Sequence, residues 1–343
     1  MQFILRYFIL CVSLSVGAVL VLQNPLHAQP YTYTHIVAFG DSLTDFGGLA
    51  VYNDAFPEDI DDFPKAMTNE GVWIQYLADD EWGADLDNNA IGGAKTDEHT
   101  SSQIQDLSDY GLIPDLSYLG QVSRFIEENE TFSPADTLFA VWIGGNDFLG
   151  FDLAQGDQNE FVNDTIRNIR TGLNDLATEA GARIFLVLNL PDMGKIPRYN
   201  SNTEISEKAS ALARDFNLAL ENTLADFTRA DSGVRVYVFD VFNYMNELIA
   251  SGDFANTTGT YLELDEDGDW TGNFNGSADD FVFWDEVHPT DQTHRLLAQE
   301  AAELENSPHI VLGSSLPLPP TDDDTESEDD DDSTCFITII TAQ

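Results

Sequence analysis

The sequence predicts a three-layer α/β/α sandwich on a parallel central sheet. Three observations carry that expectation. Short, continuously apolar runs alternate with longer stretches of helical periodicity, and this alternation puts helices on both faces of a parallel sheet. Several of these apolar runs end directly in Gly, Asn or Asp, the residues of turns. The 343 residues, 43% of them hydrophobic, suffice for one large core and do not force a second domain.

In chain order, His35–Phe39 is a short β-type run closed by Gly40, and Gly71–Asp79 reads as helical. Leu119, Val122 and Ile126 fall on one helical face. Thr137–Ile143 is a continuous apolar run, as a strand buried on both faces requires. Asn159–Glu179 reads as a helix, and Arg183–Asn189 as a further strand closed by Leu190-Pro191-Asp192. Ile205, Ala209, Leu212, Phe216, Leu220, Leu224 and Phe227 recur at three and four, the clearest amphipathic helix of the chain. Val234–Phe239 is the next strand. From Thr290 a last helix places Leu297, Ala301 and Leu304 on one face. Between these elements Asp253–Asp280, rich in Asp, Asn, Gly and Thr, is expected to be a long loop.

The domain is expected to span 32–314. Residues 1–28 read as a cleaved signal peptide: Arg6 supplies the positive end, Phe8–Leu22 is too short for a full membrane span, and Leu26-His27-Ala28 is a cleavage end. Cys11 follows Leu10, where a lipoprotein signal wants a small residue. Residues 315–343 read as a disordered tail: Leu316–Pro320 is a linker and Asp322–Asp332 an acidic run, before an apolar end that includes Cys335. With its two cysteines in leader and tail, the body has no internal disulfide and no thiolate metal site. The protein is therefore expected to be secreted, extracellular or periplasmic.

Lys and Arg number 14 and Asp and Glu 61, a net charge of −47. The tail run holds only a minority of these acids, so the body itself is acidic. Nucleic acid is excluded as a partner, since binding it takes cations that neutralise phosphates, and anionic lipid surfaces repel such a chain. A salt-rich habitat and a merely soluble acidic surface both fit the charge. No stable protein partner is expected.

Four short segments carry chemistry. Phe39-Gly40-Asp41-Ser42-Leu43-Thr44-Asp45 follows the first strand, and parallel sheets place their sites at the carboxyl ends of strands. Ser42 suits a nucleophile there, although Ser and Asp also cap helices. The segment is not Gly-x-Ser-x-Gly, so it is not the nucleophile elbow of α/β-hydrolases. Asn89-Ala90-Ile91-Gly92-Gly93-Ala94 is a diglycine turn, and Ile143-Gly144-Gly145-Asn146-Asp147 ends a predicted strand. Phe283-Trp284-Asp285-Glu286-Val287-His288-Pro289-Thr290 sets Asp285 and His288 three apart, close enough for one loop to let the carboxylate orient the imidazole. A lone Asp-x-x-His is also compatible with a surface loop or a metal ligand pair, but the six histidines are scattered and no further ligand cluster is evident.

In this order the four segments resemble the blocks of the SGNH, or GDSL, hydrolase family, from Gly40 to Thr290. Asn69-Glu70-Gly71-Val72-Trp73 loosely resembles a region between the first two blocks of its lipase-like members. The resemblance implies a flavodoxin-like SGNH hydrolase fold and a serine hydrolase of carboxylic esters that needs no cofactor and no metal. It implies Ser42 as nucleophile, His288 as base and Asp285 as the group that orients it. Ser42, Gly93 and Asn146 would form the oxyanion hole, with Gly92 the next candidate. Each such donor is typically worth about 3–4 kcal/mol of barrier. A lipase or esterase is the substrate reading, phospholipase included. A carbohydrate O-acetylesterase of the same family is the alternative, and a non-catalytic surface protein that kept the fold is the rival outside it. The alternating acids of Asp265-Glu266-Asp267-Gly268-Asp269 lack the Gly and Glu spacing of an EF-hand, so a solvated rim to the site is the reading preferred over a calcium loop.

Overall fold

The structure, a computed structural model, describes residues 33–49, 66–128, 131–231, 233–266, 268–304 and 309–313. The leader assigned to 1–28, the tail assigned to 315–343 and both cysteines lie outside the described residues.

The chain starts with β1 (His35–Gly40), followed by the short helix α1 (Trp73–Tyr76), whose continuation is π-helical to Trp82. After β2 (Asp85–Asn88) come α2 (Ser102–Asp109) and α3 (Tyr118–Glu128), then β3 (Thr137–Trp142) and the short α4 (Gly145–Leu149). Helix α5 (Gln158–Asp175) leads to β4 (Ile184–Leu188), and α6 (Pro197–Asn200) to the long α7 (Thr203–Ala230). Strand β5 (Arg235–Phe239) is followed by α8 (Val241–Ser251). Three short strands, β6 (Asn256–Thr260), β7 (Leu262–Leu264) and β8 (Trp270–Phe274), precede β9 (Phe281–Phe283), α9 (Asp291–Ala302) and β10 (His309–Gly313).

Six strands form the central sheet in the order β10-β5-β4-β3-β1-β2. The first five in sequence are mutually parallel and run 2-1-3-4-5, the flavodoxin-like order, while β10 adds an antiparallel edge on β5. Every residue of β3, β4 and β5 is buried, because helices cover both faces of the sheet. Helix α5 packs between α3 and α7, while α1 lies against α9 and the Tyr244 hydroxyl of α8 donates to the Leu296 carbonyl of α9. The α7 stripe from Ala209 to Phe227 is buried as its spacing predicts; only Ile205, in the first turn, is left 39% exposed.

The apolar runs predicted as strands became β1, β3, β4 and β5. The interval Asp253–Asp280 corrects the sequence reading: it is not a long loop. It holds β6, β7 and β8, with β7 antiparallel to β8 and β6 parallel to β9. Tyr261 stacks on Phe274 at 4.7 Å between centroids, and the Asp265 carboxylate accepts from the Asp269 N–H across the turn. Polar composition hid these strands, because a two-stranded ribbon on the surface needs cross-strand pairs rather than a buried face.

Candidate active site

The parallel order reverses at β1, and the crevice beside β1 and β3 is where such sheets place ligands. The chain leaves β1 through Gly40, where any Cβ would stand 2.5 Å from the Trp142 carbonyl oxygen. Gln121 of α3 holds that point twice: its Oε1 accepts from the Gly40 N–H at 3.0 Å and its Nε2 donates to the Gly40 carbonyl at 2.9 Å. Asp41 then tightens the turn, its carbonyl accepting from the Thr44 and Asp45 N–H groups and its carboxylate from Leu43. Ser42 is thereby set at the strand end, largely buried, and its own N–H has no partner among the described residues.

Strand β9 delivers the other half. Trp284 N–H donates to the His288 carbonyl, and Thr290 Oγ1 donates to the Phe281 carbonyl, closing the loop from Asp285 to Pro289. Asp285 Oδ1 accepts from the Val287 and His288 N–H groups, both at 2.7 Å, and Oδ2 lies 2.8 Å from His288 Nδ1. Since an ionised carboxylate only accepts, Nδ1 carries the ring proton, and Nε2 is free to accept from Ser42 Oγ at 2.8 Å. The loosely matched Asn69 segment braces this loop: Asn69 Oδ1 accepts from the Asp291 N–H at the start of α9, and the Trp73 N–H donates to the Nδ1 of buried His294.

Electrostatics follow from the burial. Burial works to raise Asp285, but the charge and hydrogen bond of His288, with two backbone N–H groups, hold its carboxyl below the ordinary range. Burial likewise opposes a charged His288, yet Asp285 and, further off, Asp41 lift it above the usual histidine value. Asp41 is pushed up to about 7, chiefly by burial. Burial, with His288 nearby, takes His294 down to about 3, so it stays neutral.

The remaining predicted residues converge on the same place. Gly93 and Asn146 line one cavity of about 350 Å³ together with Ser42 and His288. One Asn146 Nδ2 hydrogen donates to the Ala94 carbonyl at 2.9 Å, tying the turn after β3 to the turn after β2. The Gly92 N–H is taken by Asp45 Oδ2 at 2.7 Å, whereas the Gly93 N–H has no partner among the described residues. Asp147 accepts from the Thr96 N–H and hydroxyl, a second tie between these turns. Much of the cavity lining is apolar, including Met193, Val241, Met245, Ile249, Phe283 and Leu297. Among the described residues no three His, Cys, Asp or Glu side chains gather as a metal-ligand set.

Sequence reasoning gave no role to Gln121, Asp45, Asp147 or His99. Gln121, a polar residue that interrupts the apolar face of α3, is a signal that could have been read. Asp45 accepts locally from the Gly47, Gly48 and Leu49 N–H groups as well as from Gly92, whereas the Thr96 partner of Asp147 lies on another turn and leaves no local pattern.

The sequence profile of the GDSL-like lipase/acylhydrolase family matches residues 36–301. The thermolabile hemolysin of Vibrio parahaemolyticus is 28% identical over 302 residues, covering 83% of this chain and 67% of that protein. A phosphatidylcholine-sterol acyltransferase of Aeromonas hydrophila is 29% identical over 209 residues, 60% of this chain and 58% of that one. A solved member of the lipolytic G-D-S-L family from Veillonella parvula superposes with a TM-score of 0.44 at 15% identity, covering 79% of this chain and 97% of that chain.

Proposed function

The chain belongs to the GDSL-like lipase/acylhydrolase family, and from that premise we propose that it is a serine hydrolase of carboxylic esters whose nucleophile is Ser42. The observation that carries the reading is the unbroken relay Ser42–His288–Asp285, with 2.8 Å at each step. His288 takes the Ser42 proton as Oγ attacks the ester carbonyl, and Asp285 holds the ring and stabilises the imidazolium. The Ser42 and Gly93 N–H groups and the second Asn146 amide hydrogen receive the oxyanion. Collapse of the tetrahedral intermediate expels the alcohol, which takes the proton from His288. Water then hydrolyses the acyl-enzyme by the same route.

The substrate we infer is an aliphatic ester with an acyl chain longer than acetyl. The largely apolar lining of the cavity supports this, since an acetyl group would leave most of that apolar surface uncovered. Hydrolysis of p-nitrophenyl acetate, butyrate and octanoate tests it. The expected result is kcat/KM rising with chain length at least to butyrate. Strong activity on acetate and none on octanoate would replace this reading with an O-acetylesterase. We also propose export with cleavage after residues 1–28, resting on their sequence alone; an extracellular protein that retains Met1 would count against cleavage, and a protein confined to the cytoplasm against export.

A further inference from the structure

We propose that His99 is a positioning residue that locks the Gly92–Gly93 peptide so that the Gly93 N–H faces the reacting carbonyl. The inference rests on the reading of Ser42 as nucleophile and goes beyond it to what keeps the oxyanion site formed.

Residues 91–94 make a β-turn, with the Ala94 N–H donating to the Ile91 carbonyl at 3.1 Å. Gly93, third in the turn, has φ of 80°, and Gly92 is not among the positive-φ glycines, which makes the turn type II. Types I and II share their end residues and differ by a flip of the central peptide, here Gly92–Gly93. In a planar trans peptide the C=O and N–H point to opposite sides, so a flip would exchange them. It would put the Gly92 carbonyl oxygen where the proposed oxyanion donor now stands.

His99 opposes that flip. Its Nε2 lies 2.8 Å from the Gly92 carbonyl oxygen, and its Nδ1 accepts from the Ser101 N–H at 3.0 Å. Because Nδ1 is an acceptor, the neutral ring carries its hydrogen on Nε2 and donates to Gly92. The ring is buried and its backbone N–H is held by Gln105 Oε1 at 2.9 Å. Burial keeps its pKa below the ordinary histidine value, in line with the neutral donor. The other polar atoms of the diglycine are also engaged: Asp45 takes the Gly92 N–H, and the Gly93 carbonyl accepts from Thr100 at 2.9 Å. That leaves the Gly93 N–H, on the side of its peptide opposite His99. The ring packs so closely that a Cβ on Gly93 would stand 2.8 Å from it.

The test compares His99→Leu and His99→Gln on a p-nitrophenyl ester, with thermal melting of each. In His99→Leu, kcat should fall about tenfold to a hundredfold while KM stays within about twofold, because the lost interaction serves the transition state alone. His99→Gln, whose amide N–H can reach the same carbonyl, should recover most of that loss. Wild-type kcat in a folded His99→Leu, equal loss in both variants, or a loss carried by KM overturns the proposal. Long-range proton–nitrogen NMR of the unmodified enzyme near pH 7 provides a second test that needs no variant. The neutral Nε2–H form of His99 is expected there; a charged ring or the Nδ1–H form overturns the proposal. Fluorophosphonate labelling separates the two levels: an unlabelled Ser42 in folded wild type removes the hydrolase reading and this proposal with it, whereas a labelled, active enzyme indifferent to His99→Leu removes only the proposal.

Discussion

His288 has Asp285 at one nitrogen and Ser42 at the other, with the charge of Asp41 nearby. The ring must be neutral to take the Ser42 proton, so activity should rise with pH through the His288 pKa. That value is held above the ordinary 6.5 despite burial, by Asp285 first and Asp41 after it. The acid limb of kcat/KM should therefore lie above 6.5 in the wild type. Asp41 is itself pushed up to about 7, so it adds to the rise only where it is ionised; Asp41→Asn should therefore move the limb to lower pH, by less than loss of Asp285 would, and an upward limb would contradict this electrostatic account. Asp285 and His288 were legible as a pair because three positions on one loop bring them together, and Ser42 was legible from its place at a strand end and the resemblance of its segment, although it meets His288 from 246 residues away. Gln121 and His99 were not legible. Gln121 meets Gly40 from 81 residues away, and His99 acts through a carbonyl, which has no sequence signature.

At the scale of elements, the buried strands announced themselves as continuous apolar runs because both faces are covered. The surface strands β6 to β8 did not, and neither did β2, whose Asp85-Leu86-Asp87-Asn88 is only half-buried at the sheet edge. Helix α8 was also missed, although Asp240 caps it through the Asn243 N–H and Val241, Phe242, Met245 and Leu248 are buried. This helix forms one wall of the cavity through Val241, Met245 and Ile249. A bulky side chain there should shorten the accepted acyl chain without touching the relay. Met245→Trp is expected to lower kcat/KM on octanoate at least about tenfold relative to acetate, since each buried methylene is worth roughly 0.8 kcal/mol. An unaltered octanoate-to-acetate ratio would mean that the chain lies elsewhere.

Across the whole molecule, 61 acids face 14 Lys and Arg. The few cations are shared: Arg295 alone lies within 4 Å of carboxylate oxygens of Glu70, Asp80 and Asp291, and it covers the Tyr76 ring at 3.9 Å. Such pairs offset little of the excess, so self-repulsion should weaken the folded state in dilute buffer and added salt should relieve it. The melting temperature is expected to rise by several degrees between about 10 mM and 1 M sodium chloride, more than with an equal osmolarity of sucrose. Equal responses to salt and sucrose would show that charge is not the limiting factor. The charge itself was plain in the sequence, as was the strand–helix alternation of a parallel sheet covered on both faces; the 2-1-3-4-5 order was expected only from the family resemblance. The antiparallel β10 was not, because an edge strand paired on one side needs no distinctive pattern.

The proposed chemistry turns on whether Ser42, activated by His288, is the nucleophile. The most direct measurement is steady-state hydrolysis of p-nitrophenyl butyrate by wild type and Ser42→Ala, in low and high salt, with the fold of each checked by circular dichroism. The wild type should be active and the variant folded, with kcat lower by at least about a thousandfold. A folded Ser42→Ala that retains wild-type turnover would contradict that assignment.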